Sequence, residues 1–389
     1  MNLPELSTFI KVKGSLNERV YQSTGLPDTE TLLMAMKSKL KKRSVDFLIP
    51  SYCQQNCTHC FFQEEGGPAF IQTNNGLVEE LRKKMALFDK DKINLTIYPR
   101  EITQAMNLLP VFAEKGQDRV LTNGLTLCQE EVIDRLQKNG IKRLAISLHG
   151  FQDDQNCLTG GTPEEYQKII KGIKKAITSD FDVSIFTTVS KINIDSLPDF
   201  FTYLSQLGLK EIKLIRLTPT GNAKKLTDNT FLDEQDVEKM LDMVNGARIL
   251  NPDLRIALFA STFGPNFYSP NIYEYLSGQK NTWPNSTYLC PWVEQEFVGI
   301  SLTTGNQYPC YEALSFPETQ IGIASTLSGS TLEKDLQGNC NTDNCQYQKI
   351  CMGGCRITAF SFAKRRNDIN PLFAGQDICL TRILDKYAS

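Results

Sequence analysis

Short apolar runs alternate with longer stretches of helical period from residue 45 to residue 250. The runs that we predict as strands are residues 45–50, 93–99, 119–122, 143–148, 183–189 and 212–217. The amphipathic stretches that we predict as helices are residues 76–88, 103–114, 130–138, 163–178, 196–207 and 232–250. Strand–helix units in regular order are typical of a parallel sheet covered by helices. We therefore predict an α/β fold, an open, partial (β/α)6 TIM-like barrel.

The pattern changes after Pro252, where prolines, asparagines and aromatic residues replace the regular alternation. This composition predicts an irregular bridge with little secondary structure. A chain of 389 residues is also longer than a single core usually supports. We predict an N-terminal extension over 1–44, the barrel over 45–252, the bridge over 253–289, and a small, loop-rich C-terminal domain over 290–389.

Composition and charge narrow the classes of function. Lys and Arg number 42 against 44 Asp and Glu, and a net charge of -2 gives no reason to expect a nucleic-acid or membrane partner. No stretch is long and apolar enough for a membrane span, and the first residues lack the features of a signal peptide. We therefore expect a cytoplasmic protein. The 2 histidines are too few for a histidine-rich metal site.

Three cysteines, Cys53, Cys57 and Cys60, follow the first predicted strand in the string Cys-Gln-Gln-Asn-Cys-Thr-His-Cys. Active sites of βα barrels lie at this carboxyl edge of the strands. A four-iron cluster usually takes four thiolates, so three leave one iron open to another ligand. The alternative is a structural zinc site, which needs a fourth nearby cysteine or histidine; His59, between two of the cysteines, is poorly placed for that role.

The cysteine spacing of three and then two residues, with His59 before the last cysteine, resembles the signature of the radical S-adenosylmethionine (SAM) superfamily. In that family the open iron chelates the amino and carboxylate groups of SAM and passes it one electron. The resemblance implies that SAM is cleaved to methionine and a 5′-deoxyadenosyl radical, which abstracts hydrogen from a substrate.

Turns after later strands extend the resemblance. They are Asn123-Gly124, Ser147 in Ile-Ser-Leu-His-Gly, Asn193, and Arg216 in Arg-Leu-Thr-Pro-Thr-Gly. By resemblance these residues contact SAM, with Arg216 assigned either to SAM or to the substrate. Gly and small polar residues suit a close backbone approach.

Two departures from the family pattern concern the SAM contacts. Where the family usually has Gly-Gly-Glu after the second strand, this chain has Tyr98-Pro99-Arg100-Glu101, so we predict that backbone near Tyr98 or Pro99, or the Glu101 carboxylate, holds the SAM amino group. An Arg that relatives commonly carry after the fourth-strand turn is replaced here by the run 153–158, Asp-Asp-Gln-Asn-Cys-Leu.

The C-terminal cysteines resemble a SPASM domain, the auxiliary-cluster extension of some superfamily members. By resemblance, one [4Fe-4S] cluster takes Cys340, Cys345, Cys351 and Cys379, and another takes Cys290, Cys310 and Cys355, with its fourth ligand unassigned. Together with the SAM-binding cluster this predicts three clusters. Four residues separate Cys340 from Cys345 where the family usually has two. The alternative is a pair of zinc ribbons, for which seven cysteines are an awkward number.

Cys128 and Cys157 are left over. A free cysteine is most often a packed residue, but Cys157 follows the fourth strand, where its thiol could return a hydrogen atom to a substrate radical or ligate a cluster. We predict Cys128 to be a buried residue.

The resemblance implies an oxidoreductase that modifies a peptide or protein by crosslinking, epimerisation or oxidation, with a flavodoxin or ferredoxin as electron donor. Oxidation or rearrangement of a small molecule, such as an amino sugar, is the second interpretation. A non-catalytic zinc-binding interaction module is the third.

Overall fold

A computed structural model of the chain describes residues 43–62, 73–86, 93–258, 297–301, 306–308, 312–316, 322–323 and 355–366. The strands are β1 (Arg43–Ile49), β2 (Ile93–Pro99), β3 (Arg119–Thr122), β4 (Arg143–Ser147), β5 (Asp182–Val189), β6 (Glu211–Arg216), β7 (Arg255–Leu258), β8 (Phe297–Ser301), β9 (Asn306–Tyr308) and β10 (Gly322–Ile323). The α-helices are α1 (Asn75–Met85), α2 (Leu109–Glu114), α3 (Glu130–Lys138), α4 (Gln152–Thr159), α5 (Pro163–Thr178), α6 (Leu197–Gln206), α7 (Glu234–Leu250) and α8 (Arg356–Arg365). None of these helices is long and apolar enough to cross a membrane.

The strands form two five-stranded sheets in which most neighbouring strands are parallel. One sheet has the order β10-β9-β8-β1-β2, and the other runs β3-β4-β5-β6-β7 in chain order. β1 is parallel to both β2 and β8, and all neighbours from β3 to β7 are parallel. Among the described strands, β9 alone is reversed, and it pairs antiparallel with both β8 and β10. The α/β class and the partial barrel predicted from the sequence are confirmed.

Several elements differ from the sequence prediction. The structure adds β7 beside β6 and β8 beside β1, and it forms helices α4 and α8 where none was predicted. The predicted helix 103–114 is two 3-10 turns, Ile102–Gln104 and Met106–Leu108, followed by α2. Pro110 explains the late start of α2, because proline suits the first turn of a helix but not its interior. Short or polar segments like β7 and α4 carry too little periodicity to be recognised alone.

The two faces of β1 pack against different parts of the molecule. Val45, Phe47 and Ile49 join the large core between the sheets and the helices. Alternate side chains of a strand point to opposite faces, and Leu48 accordingly packs on the inner side of the barrel. Its cluster there includes Tyr308, Phe316, Cys355 and Phe360. The C-terminal segments therefore line the inner face of the first strand.

Side chains join the two sheets between β2 and β3. The amide of Gln117 accepts a hydrogen bond from the Ile97 N–H at 3.0 Å and donates to the Ile97 and Arg119 carbonyls at 3.2 and 3.3 Å. A primary amide presents the same donor and acceptor as a peptide group, so Gln117 takes the place of a strand neighbour. At the carboxyl end of the same gap lies Glu101, where the candidate site begins.

Candidate functional site

The loop that carries Cys53, Cys57 and Cys60 leaves the carboxyl end of β1, and all three residues are half-buried. Its first turn is tied to β2, because the Ile49 carbonyl accepts from both Ser51 N–H (2.7 Å) and Arg100 N–H (2.9 Å). The Asn123 side chain, just after β3, donates from Nδ2 to Cys53 Sγ at 3.6 Å. The predicted loop thus stands where three neighbouring strands end.

The donor set of this loop fits an iron–sulfur cluster. Three thiols are the protein ligands that a four-iron cluster takes when its fourth iron is left to another ligand. N–H donation to a cysteine sulfur is also one of the features that tune such clusters.

Burial keeps the thiols of Cys53 and Cys57 protonated. It raises the pKa of Cys53 to about 11, with the Glu101 charge adding to the rise. It also raises the pKa of Cys57 well above its usual value, with smaller contributions from Cys60 and Cys53. A bound metal reverses this, because a coordinating thiol loses its proton outright. The loop is therefore suited to thiolate chemistry only with a cationic group in place.

Arg100 is a charged group beside the cysteines that sequence reasoning did not single out. Its positive charge lowers the pKa values of both Cys53 and Cys57 against the larger effect of burial. Its Nε is buried and has no hydrogen-bond partner among the residues that the structure describes. Arg100 stands within the string that replaces Gly-Gly-Glu, so this departure brings a cation to the cysteine loop.

Glu101 is occupied by protein donors. Its Oε1 accepts from Thr103 N–H (2.9 Å), Thr103 Oγ1 (2.8 Å) and Thr122 Oγ1 (2.7 Å), and its Oε2 accepts from Asn123 N–H (2.7 Å). The residue is 1% exposed, and burial raises the pKa of its carboxyl although all these hydrogen bonds lower it. Glu101 therefore ties β2 to the turn after β3, and a contact with SAM stays a prediction.

The two histidines of the chain lie against each other on the α4 side of the loop, edge to face, with ring centroids 4.5 Å apart. Thr188 N–H donates to His149 Nδ1 at 3.0 Å, so that nitrogen carries no proton. His59 Nδ1 lies 3.2 Å from the Leu158 carbonyl and must donate, because a carbonyl only accepts. Burial lowers the pKa of His59 to about 4 and that of His149 well below its usual value, so both rings are neutral.

The opposite side of the loop is held by residues after β6. Asn222 Nδ2 donates to the Cys57 carbonyl at 2.9 Å, and the Asn222 N–H donates to the Cys60 carbonyl at 3.0 Å. Ser315 Oγ donates to the Phe61 carbonyl at 3.2 Å and accepts from the Gly221 N–H at 2.9 Å. Gly221 stood in a motif that we matched to the sixth strand, but nothing in the sequence indicated that Asn222 or Ser315 would reach the cysteines.

The other predicted SAM contacts lie at strand ends of the same edge. Gly124 has φ +80° and a Cβ there would lie 2.9 Å from Ile146 Cγ2, so this turn requires glycine. Asn193 is fully buried, donating to the His149 and Thr188 carbonyls at 2.5 and 2.8 Å while accepting from Ser190 N–H at 2.9 Å. The remaining four lie at the ends of their strands, with Tyr98 next to the last residue of β2. Tyr98 and Ser147 are half-buried, and Pro99 and Arg216 are buried. Their contacts with SAM stay predictions.

The remaining cysteines are placed unequally. Cys157 is exposed on α4, next to Leu158, whose carbonyl accepts from Thr58 N–H at 2.9 Å. Cys128 is half-buried rather than buried, and its thiol donates to the Leu125 carbonyl at 3.6 Å. Cys355 is buried directly before α8. The other predicted ligands, Cys290, Cys310, Cys340, Cys345, Cys351 and Cys379, lie outside the described residues, as do most of the predicted N-terminal extension and bridge.

Known proteins share both the sequence pattern and the fold. The profile of the radical SAM superfamily matches residues 47–204. An AdoMet-dependent heme synthase from Methanosarcina barkeri is 22% identical over 350 residues, which cover 82% of this chain and 92% of that protein.

Two solved structures have the same fold. SuiB of Streptococcus suis bound to its precursor peptide SuiA superimposes with a TM-score of 0.62 at 15% identity, over 90% of this chain and 79% of that one. The structure of anSMEcpe with bound AdoMet gives 0.62 at 15% identity, over 89% and 97%. The matched residues run from β1 to α6 and include the cysteine loop, Glu101, the Asn123 turn and both histidines, so residues 47–204 are a radical SAM domain.

Proposed function

We propose that the chain is a radical SAM enzyme that cleaves SAM reductively and abstracts hydrogen from a substrate carbon. The observation that carries this proposal is the three-cysteine loop at the carboxyl edge of β1, with Asn123 donating to the sulfur of Cys53. The match to the radical SAM superfamily over residues 47–204 implies SAM and one [4Fe-4S] cluster as cofactors.

The residues divide the work by chemistry. Cys53, Cys57 and Cys60 would hold the cluster. A cluster bound to them would supply the single electron for the reductive cleavage of SAM. Arg100 places a positive charge beside the thiolates and is our candidate for holding the SAM carboxylate, in place of the arginine that relatives commonly carry after the fourth strand. Glu101 holds the connection between β2 and β3 rigid around this site.

We propose a peptide or protein as the substrate, modified by crosslinking, epimerisation or oxidation. Support comes from SuiB, whose structure holds a precursor peptide and covers 90% of this chain at a TM-score of 0.62. The C-terminal cysteines support the same proposal, because auxiliary clusters suit reactions that remove an electron after hydrogen abstraction. A flavodoxin or ferredoxin would supply the first electron.

A small-molecule substrate is the second candidate, and the heme synthase favours it. The match extends over 92% of that relative's own length, and its name, heme synthase, gives a small molecule as its product. Both candidate substrates would be modified by the same chemistry, reductive SAM cleavage followed by hydrogen abstraction. A short precursor peptide encoded beside this chain would favour the first candidate, and stimulation of SAM cleavage by a heme precursor would favour the second.

The chemistry is tested by changing Cys53, Cys57 and Cys60 together to Ala. The variant should lose about four irons per chain and all 5′-deoxyadenosine formation with dithionite, because one four-iron cluster depends on these ligands. Cys128→Ala is the matched control, since Cys128 lies outside the loop and should change neither quantity. Continued 5′-deoxyadenosine formation by the triple variant would show that SAM is cleaved elsewhere or not by this mechanism.

A further inference from the structure

The loop between Cys57 and Phe61 is held at its backbone as well as through its cysteines. Its carbonyl groups at Cys57, Cys60 and Phe61 accept hydrogen bonds from groups far away in the sequence. A single residue, Asn222, serves two of them, with its side chain on Cys57 at 2.9 Å and its backbone N–H on Cys60 at 3.0 Å. The Cys60 N–H also donates to the Cys57 carbonyl at 3.3 Å, so Asn222 adds a second connection between the backbones of these two residues.

Gly221 shows that this contact is tight. A Cβ on Gly221 would lie 2.2 Å from the Cys60 oxygen and 2.6 Å from Phe61 Cα, and the residue has φ +52°. Both neighbours are backbone atoms, so no side-chain rotation could relieve such a clash. Glycine is required here for two independent reasons, the left-handed conformation and the close approach of two backbones.

The loop is fixed from its other side by α4. The Leu158 carbonyl accepts from Thr58 N–H at 2.9 Å and from Thr58 Oγ1 at 3.0 Å. The loop therefore lies between two rigid supports, and Asn222 is the support that contacts the cysteine residues themselves. Ser315 extends it, because its hydroxyl links the Gly221 N–H to the Phe61 carbonyl and connects the segment 312–316 to the loop.

We propose that Asn222 is a positioning residue that sets the separation of Cys57 and Cys60 and so keeps the cluster in the geometry in which its open iron receives SAM. Asn222 acts through the loop backbone, because its side chain and its N–H both donate to backbone carbonyls of the loop. The inference rests on the proposed function, because it assumes a cluster on these cysteines.

The test compares Asn222→Ala and Asn222→Asp with the wild-type chain. Asp has the same shape as Asn but cannot donate to the Cys57 carbonyl. A defect that both variants show is therefore due to the lost hydrogen bond and not to the loss of side-chain volume. Asn139→Ala is the matched control. The Asn139 side chain also donates to a backbone carbonyl, that of Arg135 at 2.8 Å, but it lies directly after α3 and outside the cysteine loop.

Three measurements on the cluster-loaded full chain define the outcome. Loss of one hydrogen bond should speed amide exchange across residues 53–62 by about five- to tenfold. The cluster on Cys53, Cys57 and Cys60 should release its iron to a chelator faster than in the wild type. Addition of SAM should also change the electron paramagnetic resonance spectrum of this cluster less than in the wild type. Exchange in β4 and β5 should be unchanged, which shows that the fold is intact.

Different results would refute the role of Asn222 and the proposed function. If both Asn222 variants match Asn139→Ala in loop exchange, iron release and spectral response, Asn222 has no positioning role. If exchange also rises throughout β4 and β5, Asn222 supports the fold generally and the specific role is refuted. A wild-type chain without a SAM-responsive cluster would instead refute the proposed function.

Discussion

Asp46 is a buried carboxyl on the inner face of the barrel, 5% exposed and in register with Thr96 on β2 and Gly299 on β8. Burial raises its pKa from 3.8 to about 7, and a hydrogen bond with Thr96 lowers the pKa by less. A carboxyl on a strand is costly in such a place, because burial disfavours its charged form. Asp46 lies two residues before Leu48 and so on the same face of β1. The buried carboxyl therefore faces the interior that the C-terminal segments line.

Asp46→Asn should therefore stabilise the protein at alkaline pH and have little effect at acidic pH. Unfolded Asp46 ionises near pH 4 and the folded residue near 7, so the free energy of unfolding falls as pH rises through this window and stays low above it. Removing the carboxyl should raise stability at pH 8 by at most about 4 kcal/mol. Thermal midpoints of both proteins at pH 5 and pH 8 measure this, and an equal difference at the two pH values would contradict the burial of the charge.

At the level of elements, the two sheets meet at β2 and β3. β2 is the last strand of one sheet, β3 is the first strand of the other, and the two strands are not paired through their backbones. Two side chains join them. Gln117 bonds to Ile97 and Arg119, and Glu101 bonds to Thr122 and Asn123 at the carboxyl edge. The site thus depends on side-chain hydrogen bonds where a continuous barrel would have a strand ladder.

Glu101→Gln should destabilise the protein by roughly 2–4 kcal/mol, because the new amide NH2 faces donors and leaves buried groups unpaired. Glu114→Gln is the control, since Glu114 is half-exposed and pairs with Arg82 on the surface, where an ion pair contributes little. Urea or thermal unfolding measures both. If Glu101→Gln unfolds like the wild type but binds SAM much more weakly, Glu101 contacts SAM and is not a structural link.

In the whole molecule, the C-terminal segments pack onto the barrel at the cysteine loop. Cys355 belongs to the inner cluster with Leu48, and Cys60 and Phe61 pack against that cluster. On α8, Arg365 donates to the Lys224 carbonyl at 2.8 Å. Cys355, which we predict as an auxiliary ligand, therefore lies next to the cysteine loop that we propose as the SAM site.

The loaded chain should contain about twelve irons, because three four-iron clusters are expected. Cys355→Ala should remove about four of these irons while SAM cleavage with dithionite continues, since the cluster on Cys53, Cys57 and Cys60 keeps its ligands. Iron and zinc analysis of anaerobically reconstituted protein measures both. Stoichiometric zinc without iron would favour the zinc-binding module over the enzyme.

The sequence by itself determined the order of strands and helices up to α7, apart from α4 and the two 3-10 turns before α2. It also determined the edge at which the cysteines lie and the resemblance on which the proposed chemistry rests. These features are local: hydrophobic period decides an element within a few residues, and the three cysteines stand within eight positions. Only the tertiary structure decided that Glu101 bonds to the turn after β3, that Arg100 lies beside the thiols, and that Asn222 and Ser315 hold the cysteine loop. Such contacts join residues up to 254 positions apart. No periodicity links partners at that distance, because their meeting depends on how complete elements pack.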